Sequence, residues 1–351
     1  MPARNPCKAR LSQKDDHQSP HLILLSECHH AQERVIIKYQ YLRFNKAYIL
    51  IRGVILVSEF LLTSPDSIRL IIHADDWGQH PAVNRAIHAL IGEGAITSAS
   101  ILAGGQAVGE ACRFAVLHPG FCTGAHLSLS HDHSPLASNR SIISLSGEQA
   151  AFLSPLSVLE KKGVPADILL EINAQIRFLL AAGVRLTHVD THQGCLLGIH
   201  SGDERLFPVI RQLSLEYRLP FKLPRQIKHA PGLPPEVRTR LANLAEWLEL
   251  QGIPLIDDLI VPDYGMIPGQ DYLQYKNVIL SALSAVNPGT ITELTLHPAL
   301  PDRQLKDAAS HWIKREWEYR LPLDPDFREL LRQRNIILTS WRDLHPSGTL
   351  E

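Results

Sequence analysis

Four short runs of the 351-residue sequence gather acids and imidazoles: His73-Ala-Asp75-Asp76, Gly124-Ala-His126-Leu-Ser128, His188-Val-Asp190-Thr-His192 and Glu293-Leu-Thr295-Leu-His297. Side chains alternate between faces along an extended chain. That period groups Gly124, His126 and Ser128, then His188, Asp190 and His192, then Glu293, Thr295 and His297, with Leu294 and Leu296 opposite. Burying such groups without partners costs several kcal/mol, so they must meet one another, water or a metal. One carboxylate with two imidazoles is a ligand set for a catalytic divalent ion with open positions, suited to Zn²⁺, Fe²⁺ or Mn²⁺ and compatible with Mg²⁺. The remaining Asp and His residues are then available as base and acid. Each run alone has a plainer reading. An Asp-Asp pair caps helices or sits in solvated turns, and a single strand histidine is commonly a satisfied core residue. Their recurrence at successive strand ends is what points to a shared site.

The surrounding elements supply those strand ends. RLIIHADD (69–76), SASILAGG (98–105), FCTGAHLSLS (121–130) and RLTHVDTH (185–192) read as strands. So do LPFKLP (219–224), PLIDDLIV (254–261) and TITELTLHP (290–298). Between them run helical patterns. The helix at 81–94 opens on Pro81 and carries Ala86, Ile87, Leu90 and Ile91 as its apolar stripe. Another spans 106–120, and one at 167–183 is expected to be capped by Asp167 and stopped by Gly183. The helix at 204–218 is expected to kink at Pro208, and 326–344 closes with helix and strand. Alternation of this kind is the signature of βα units on a parallel sheet, whose functional side chains lie at the carboxyl ends of the strands.

Hydrophobic residues make up 45% of the chain and charged residues 20%, enough for a sizeable core. Thirty-five Lys+Arg against 36 Asp+Glu leave a net charge of -1, which argues against a protein built to grip nucleic acid or anionic membrane. Cysteines at 7, 28, 112, 122 and 195 form no CxxC pair, which disfavours a disulfide scaffold or zinc ribbon and fits a reducing, cytoplasmic setting. Residues 1–67 carry no βα pattern. Their first 20 residues are polar and basic, unlike a secretory signal. The apolar run at 48–62 contains Arg52 and Glu59 and falls short of the roughly 20 apolar residues of a membrane span. It is expected to be a helix or strand packed on a neighbour. Methionine occurs only at 1 and 266, so this extension is read as poorly ordered or as lying upstream of a non-Met start near 54–68.

The segment 68–344 resembles the YdjC-like carbohydrate deacetylases, the family that includes chitooligosaccharide deacetylase and the hopanoid-biosynthesis-associated deacetylase-like proteins. The resemblance rests on ADDWG (74–78), GAHLSLS (124–130), ExxAQ (171–175), THVDTH (187–192), TELTLHPA (292–299) and SWRDL (340–344), in the family's order. It implies a distorted TIM-like βα barrel, preceded by the 1–67 extension and followed by a 345–351 tail. It implies that Asp76, His126 and His192 hold one divalent ion, Mg²⁺ by the family pattern, with Zn²⁺ also suitable. It further implies Asp75 as the base, His297 as the acid, and hydrolysis of an N-acetyl group from an amino sugar. The implied partner is a small-molecule or oligosaccharide substrate, with no nucleic acid and no membrane span; a homodimer stays open. Thr191 stands where the family has Ser. Gln193-Gly194 replaces a His-rich continuation, which puts substrate contacts there in doubt. Trp77 replaces Phe and is expected to keep an aromatic wall.

Other residues carry two readings. Asp190 either fixes an imidazole tautomer or makes a plain structural hydrogen bond, and for Glu293 the structural role is preferred. His188 is taken as structural, His131-Asp132-His133 as solvated loop, and Cys195 as a buried thiol. Lys222 and Arg225 meet substrate or balance the site's acids. The rival functions are another metal hydrolase on the same barrel and a non-catalytic sugar-binding protein.

Overall fold

The computed structural model describes residues 35–41, 44–51, 54–58 and 67–344, apart from 131–134, 138–141, 146–151, 228–231, 264, 266 and 309–310. The readings of His131, Asp132 and His133 and of the 345–351 tail fall outside those residues. The chain divides into two compact units, Met1–Pro65 and Asp66–Glu351.

In the first unit the strands β1 (Val35–Tyr41), β2 (Phe44–Ile51) and β3 (Val54–Ser58) form an antiparallel sheet in that order. Residues 48–51 and 54–58 of the apolar run therefore lie in β2 and β3, paired through Leu50↔Ile55, the strand alternative of the two expected; 52–53 and 59–62 fall outside the described residues.

The second unit is built on β4 (Arg69–Trp77), β5 (Ser98–Ile101), β6 (Cys122–Leu127), β7 (Leu186–Thr191), β8 (Asp258–Ile260), β9 (Ile291–Leu296) and β10 (Ile337–Leu338). They run in the order β7-β6-β5-β4-β9-β8, with β10 on the start of β4, and every pair is parallel. The sheet curls. Parallel bridges at Val189↔Phe221 and Pro224↔Ile256 lead from one edge toward the other. The result is a distorted βα barrel, as expected from the sequence. The 219–224 strand, however, is reduced to those two bridges, because Pro220 and Pro224 have no N–H to give a ladder.

Helices α1 (Pro81–Gly92), α2 (Val108–Leu117), α3 (Leu156–Lys162), α4 (Pro165–Ala181) and α5 (Phe207–Tyr217) alternate with the first strands. Next come α6 (Pro235–Leu250), α7 (Tyr272–Ser284), α8 (Arg303–Ala308), α9 (Trp312–Arg320) and α10 (Pro325–Gln333). In α4, Ile168, Ile172, Ile176 and Leu179 form the buried stripe at helical spacing. Burial of each such side chain is worth about 1.5–3 kcal/mol. Among the described residues no helix is long and apolar enough to cross a membrane.

Two helix readings need correction. α4 starts at Pro165, with Val164 as its N-cap, because proline's fixed φ suits a first helical position. Asp167 thus lies inside the first turn, where it accepts from the Ser144 N–H at 3.0 Å instead of capping. In α5, Pro208 also falls in the first turn, where an N–H would have no helical partner, so it causes no kink.

Candidate metal centre and its cavity

Asp75 and Asp76 end β4. Strict alternation would send them to opposite faces, yet both line one cavity of about 540 Å³, together with His192, Lys222, His297 and Arg315. The reason is local. The β4/β5 register shifts between Ala74 and Trp77, and Asp76 sits at φ 65°, in the left-handed region. Such a bulge re-aims a side chain, and an aspartate held at positive φ marks backbone strain kept at a site.

Three buried side chains from three strand ends converge here. Asp76 Oδ1 lies 3.3 Å from His126 Nε2 and 3.0 Å from His192 Nδ1, and the two imidazole nitrogens are 3.1 Å apart. Ligands about 2.1 Å from a shared ion at right angles would stand about 3.0 Å from one another, so this triangle has the size of one face of an ion's ligand shell. Asp76 Oδ1 is buried and receives no hydrogen bond of acceptable geometry from the described residues. An orphaned carboxylate oxygen facing two ring nitrogens fits a divalent cation. The other oxygen, Oδ2, is held by Arg315 Nη2 at 2.6 Å. Burial works against ionisation of Asp76, but Arg315 and His192 outweigh it and hold the carboxyl well below its usual range.

His126 is fixed from behind. Its Nδ1 lies 2.9 Å from Asp190 Oδ1, which leaves Nε2 toward Asp76. Burial alone would favour the neutral ring, but Asp190 and Asp75 push it up to about 10. Of the two readings for Asp190, the structure shows the one that orients an imidazole. It also meets Ser100 Oγ at 2.8 Å and His73 Nε2 at 3.0 Å.

Asp75 is held on one side only. Its Oδ1 is 2.9 Å from Lys222 Nζ and 3.0 Å from His73 Nε2, while Oδ2 faces His297 Nε2 at 3.6 Å. Burial opposes its ionisation; Lys222 and His126 outweigh that and keep it a carboxylate. His297 lies at the end of β9, with Nδ1 3.4 Å from Glu318 Oε2, and its backbone N–H donates to the same oxygen. Glu293 is wholly buried. It meets Lys222 at 3.0 Å and accepts from Thr295 Oγ1 and Trp341 Nε1, each at 2.8 Å. His188 is buried, stacked on Trp341 with ring centroids 5.0 Å apart, and its Nδ1 lies 3.0 Å from Thr187 Oγ1.

Trp77 is not the wall expected of it. It is wholly buried behind the bulge, edge-on to Phe114 and Phe121, and donates to His88 Nε2 at 3.2 Å. The bulge that brings Asp76 into the cavity leaves Trp77 in the core. Cys195 is buried, and burial raises its thiol to about 12, which removes it as a nucleophile. Of the paired cations, Lys222 enters the site, while Arg225 binds Glu249 and Asp257 outside it. Sequence reasoning placed His73 in one of the four runs but gave it no role, and it missed Arg315 and Glu318. The run WIKREWEYR of α9 carries five charged residues in nine, yet Lys314, Arg315 and Glu318 are buried. The only signal was the i,i+3 spacing of Arg315 and Glu318, which puts them on one side of a helix.

A carbohydrate deacetylase of Thermoanaerobacter pseudethanolicus is 27% identical over 280 residues, covering 78% of this chain and 97% of that protein. One from Geobacillus stearothermophilus is 29% identical over 275 residues, covering 78% and 97%. A crystal structure from Enterococcus faecalis V583, of a protein named for cellobiose-phosphate cleavage, shares the fold with a TM-score of 0.65 at 24% identity, covering 80% of this chain and 100% of that one. The family model described as YdjC-like protein matches residues 69–333, from the first strand of the barrel to the end of α10. With the bulged Asp75-Asp76 pair and the strand-end histidines inside that match, the chain belongs to the YdjC-like protein family.

Proposed function

We propose that this chain is a metal-dependent hydrolase that removes an N-acetyl group from an amino sugar or an N-acetylated oligosaccharide. The observation that carries the proposal is the convergence of Asp76, His126 and His192 on one point, with Asp76 and His192 lining the same cavity as Asp75 and His297. The relatives named carbohydrate deacetylases support the amide of an N-acetyl sugar as the bond attacked. In this reading the domain is 68–344, and residues 1–67 are an extension outside the chemistry.

Amide hydrolysis needs a stronger nucleophile than water, stabilisation of an anionic tetrahedral intermediate, and a proton for the leaving amine. A divalent ion held by Asp76, His126 and His192 supplies Lewis acidity toward the acetyl oxygen and makes a water more acidic. Mg²⁺ follows from the family pattern, while two imidazole ligands also suit Zn²⁺. Arg315 keeps Asp76 Oδ2 engaged, so Oδ1 is the oxygen presented to the ion. Asp190 keeps His126 Nε2 facing the same point. Asp75, with Oδ1 tied by Lys222 and His73, offers Oδ2 as acceptor for the water's proton. His297, oriented by Glu318, donates a proton to the nitrogen as the C–N bond breaks. The products are acetate and the free amine.

The test is acetate release from N-acetylglucosamine, chitobiose and longer N-acetylated glycans, with and without a chelator, followed by metal analysis. Release that stops with chelator, and in Asp75→Asn and His126→Ala, is expected. Release that survives both substitutions unchanged overturns the assignment.

A further inference from the structure

Beside the proposed ion site, three buried carboxylates meet at one ammonium. Lys222 Nζ lies 2.9 Å from Asp75 Oδ1, 3.0 Å from Glu293 Oε1 and 3.6 Å from Asp190 Oδ2. The acids come from β4, β9 and β7, and all four side chains are at most 9% exposed. Two links join this cluster to the neighbouring trio: the peptide bond between Asp75 and Asp76, and the contact of Asp190 Oδ1 with His126 Nδ1 at 2.9 Å. Two-ion hydrolases are built in just this way, as adjacent cation positions that share strand-end acids. Here the second position has its shell of oxygens, and the cation seated in it belongs to the chain. An ammonium carries one charge and only donors, so it neutralises the acids without offering an open coordination position.

We infer that Lys222 is an internal cation that keeps this centre mononuclear: it occupies the place of a second divalent ion, and without it Asp75, Asp190 and Glu293 take one up. The inference rests on Asp76, His126 and His192 forming an ion site, but not on the acetyl-sugar reading. A wild-type chain that binds an ion and releases no acetate would refute the latter alone.

The experiment is a Mn²⁺ titration of the chelator-stripped full chain, followed by calorimetry and by electron paramagnetic resonance, which distinguishes a spin-coupled pair from an isolated ion. The wild type is expected to bind one Mn²⁺. Lys222→Ala is expected to bind two, with the signature of a coupled pair, and Lys222→Arg to return to one. Removing Lys222 leaves uncompensated buried charge, so the alanine variant is also purified with and without Mn²⁺ and its fold followed by circular dichroism. A variant that folds only with Mn²⁺ supports the inference, because the ion then replaces the ammonium. A wild type that binds two ions or none overturns it. So does a folded Lys222→Ala chain that binds one, or a chain that stays unfolded with Mn²⁺ present.

Discussion

The guanidinium of Arg315 donates from Nη2 to Asp76 Oδ2 across 2.6 Å, joining residues 239 positions apart. The contact links the first strand of the barrel to a late helix, α9, and it leaves the opposite oxygen of Asp76 facing His126 and His192. Arg315→Met is therefore expected to weaken Mn²⁺ binding about 10–100-fold, the usual effect of losing a group that orients a ligand. Arg315→Lys, which keeps the charge but not the planar fork, should recover part of it. Calorimetric titration checks this directly; an unchanged affinity in Arg315→Met would mean that Asp76 does not depend on Arg315 for its orientation.

His297 stands apart from the ion-facing trio, 3.6 Å from Asp75 Oδ2. Substitution to Gln should lower kcat about 10²–10⁴-fold, the span of general acid–base help. Mn²⁺ affinity should stay at the wild-type value. A parallel loss of both would place His297 among the ion's holders instead.

His73 makes stability depend on pH. Burial favours its neutral form, but Glu293, Asp190 and Asp75 overcome burial and the opposing Lys222, raising it from 6.5 to about 9. A group whose folded value is raised binds its proton more tightly when folded. Its stabilising contribution is thus fully present below pH 6.5 and fades as pH rises to about 9. Urea unfolding of the metal-free chain at pH 6, 8 and 10 should show wild type losing a few kcal/mol more than His73→Gln over that interval. Parallel pH profiles for the two proteins would remove His73 as the cause.

Gly124 precedes His126 on β6 and lies against the His188 ring. A Cβ built there would stand 2.6 Å from His188 Cε1, and the ring is backed by Trp341. Gly124→Ala should cost about 1–3 kcal/mol through overpacking. Gly92, at the end of α1, has nothing within 4 Å of such a Cβ, and Gly92→Ala should change stability by no more than about 0.5 kcal/mol. Denaturant midpoints of the two variants test the contrast.

The α/β class, the parallel strands and the faces of His126, Asp190, His192 and Glu293 were readable in the amino-acid order. A strand's two-residue period and a helix's apolar stripe are local properties, written in neighbouring residues. The same order carried the family motifs and the plain reading of Cys195. Other features depend on residues distant in the chain, and no local period records them. The shared aim of Asp75 and Asp76 comes from a bulge set by register against β5, which also took Trp77 out of the cavity. Arg315, Glu318 and His73 entered the site because the curled sheet and α9 place them there. Nothing local assigns Arg315 and Glu318 to the site or gives His73 its role within the HADD run, since a buried charge is recognised by its partners and those partners lie far along the chain.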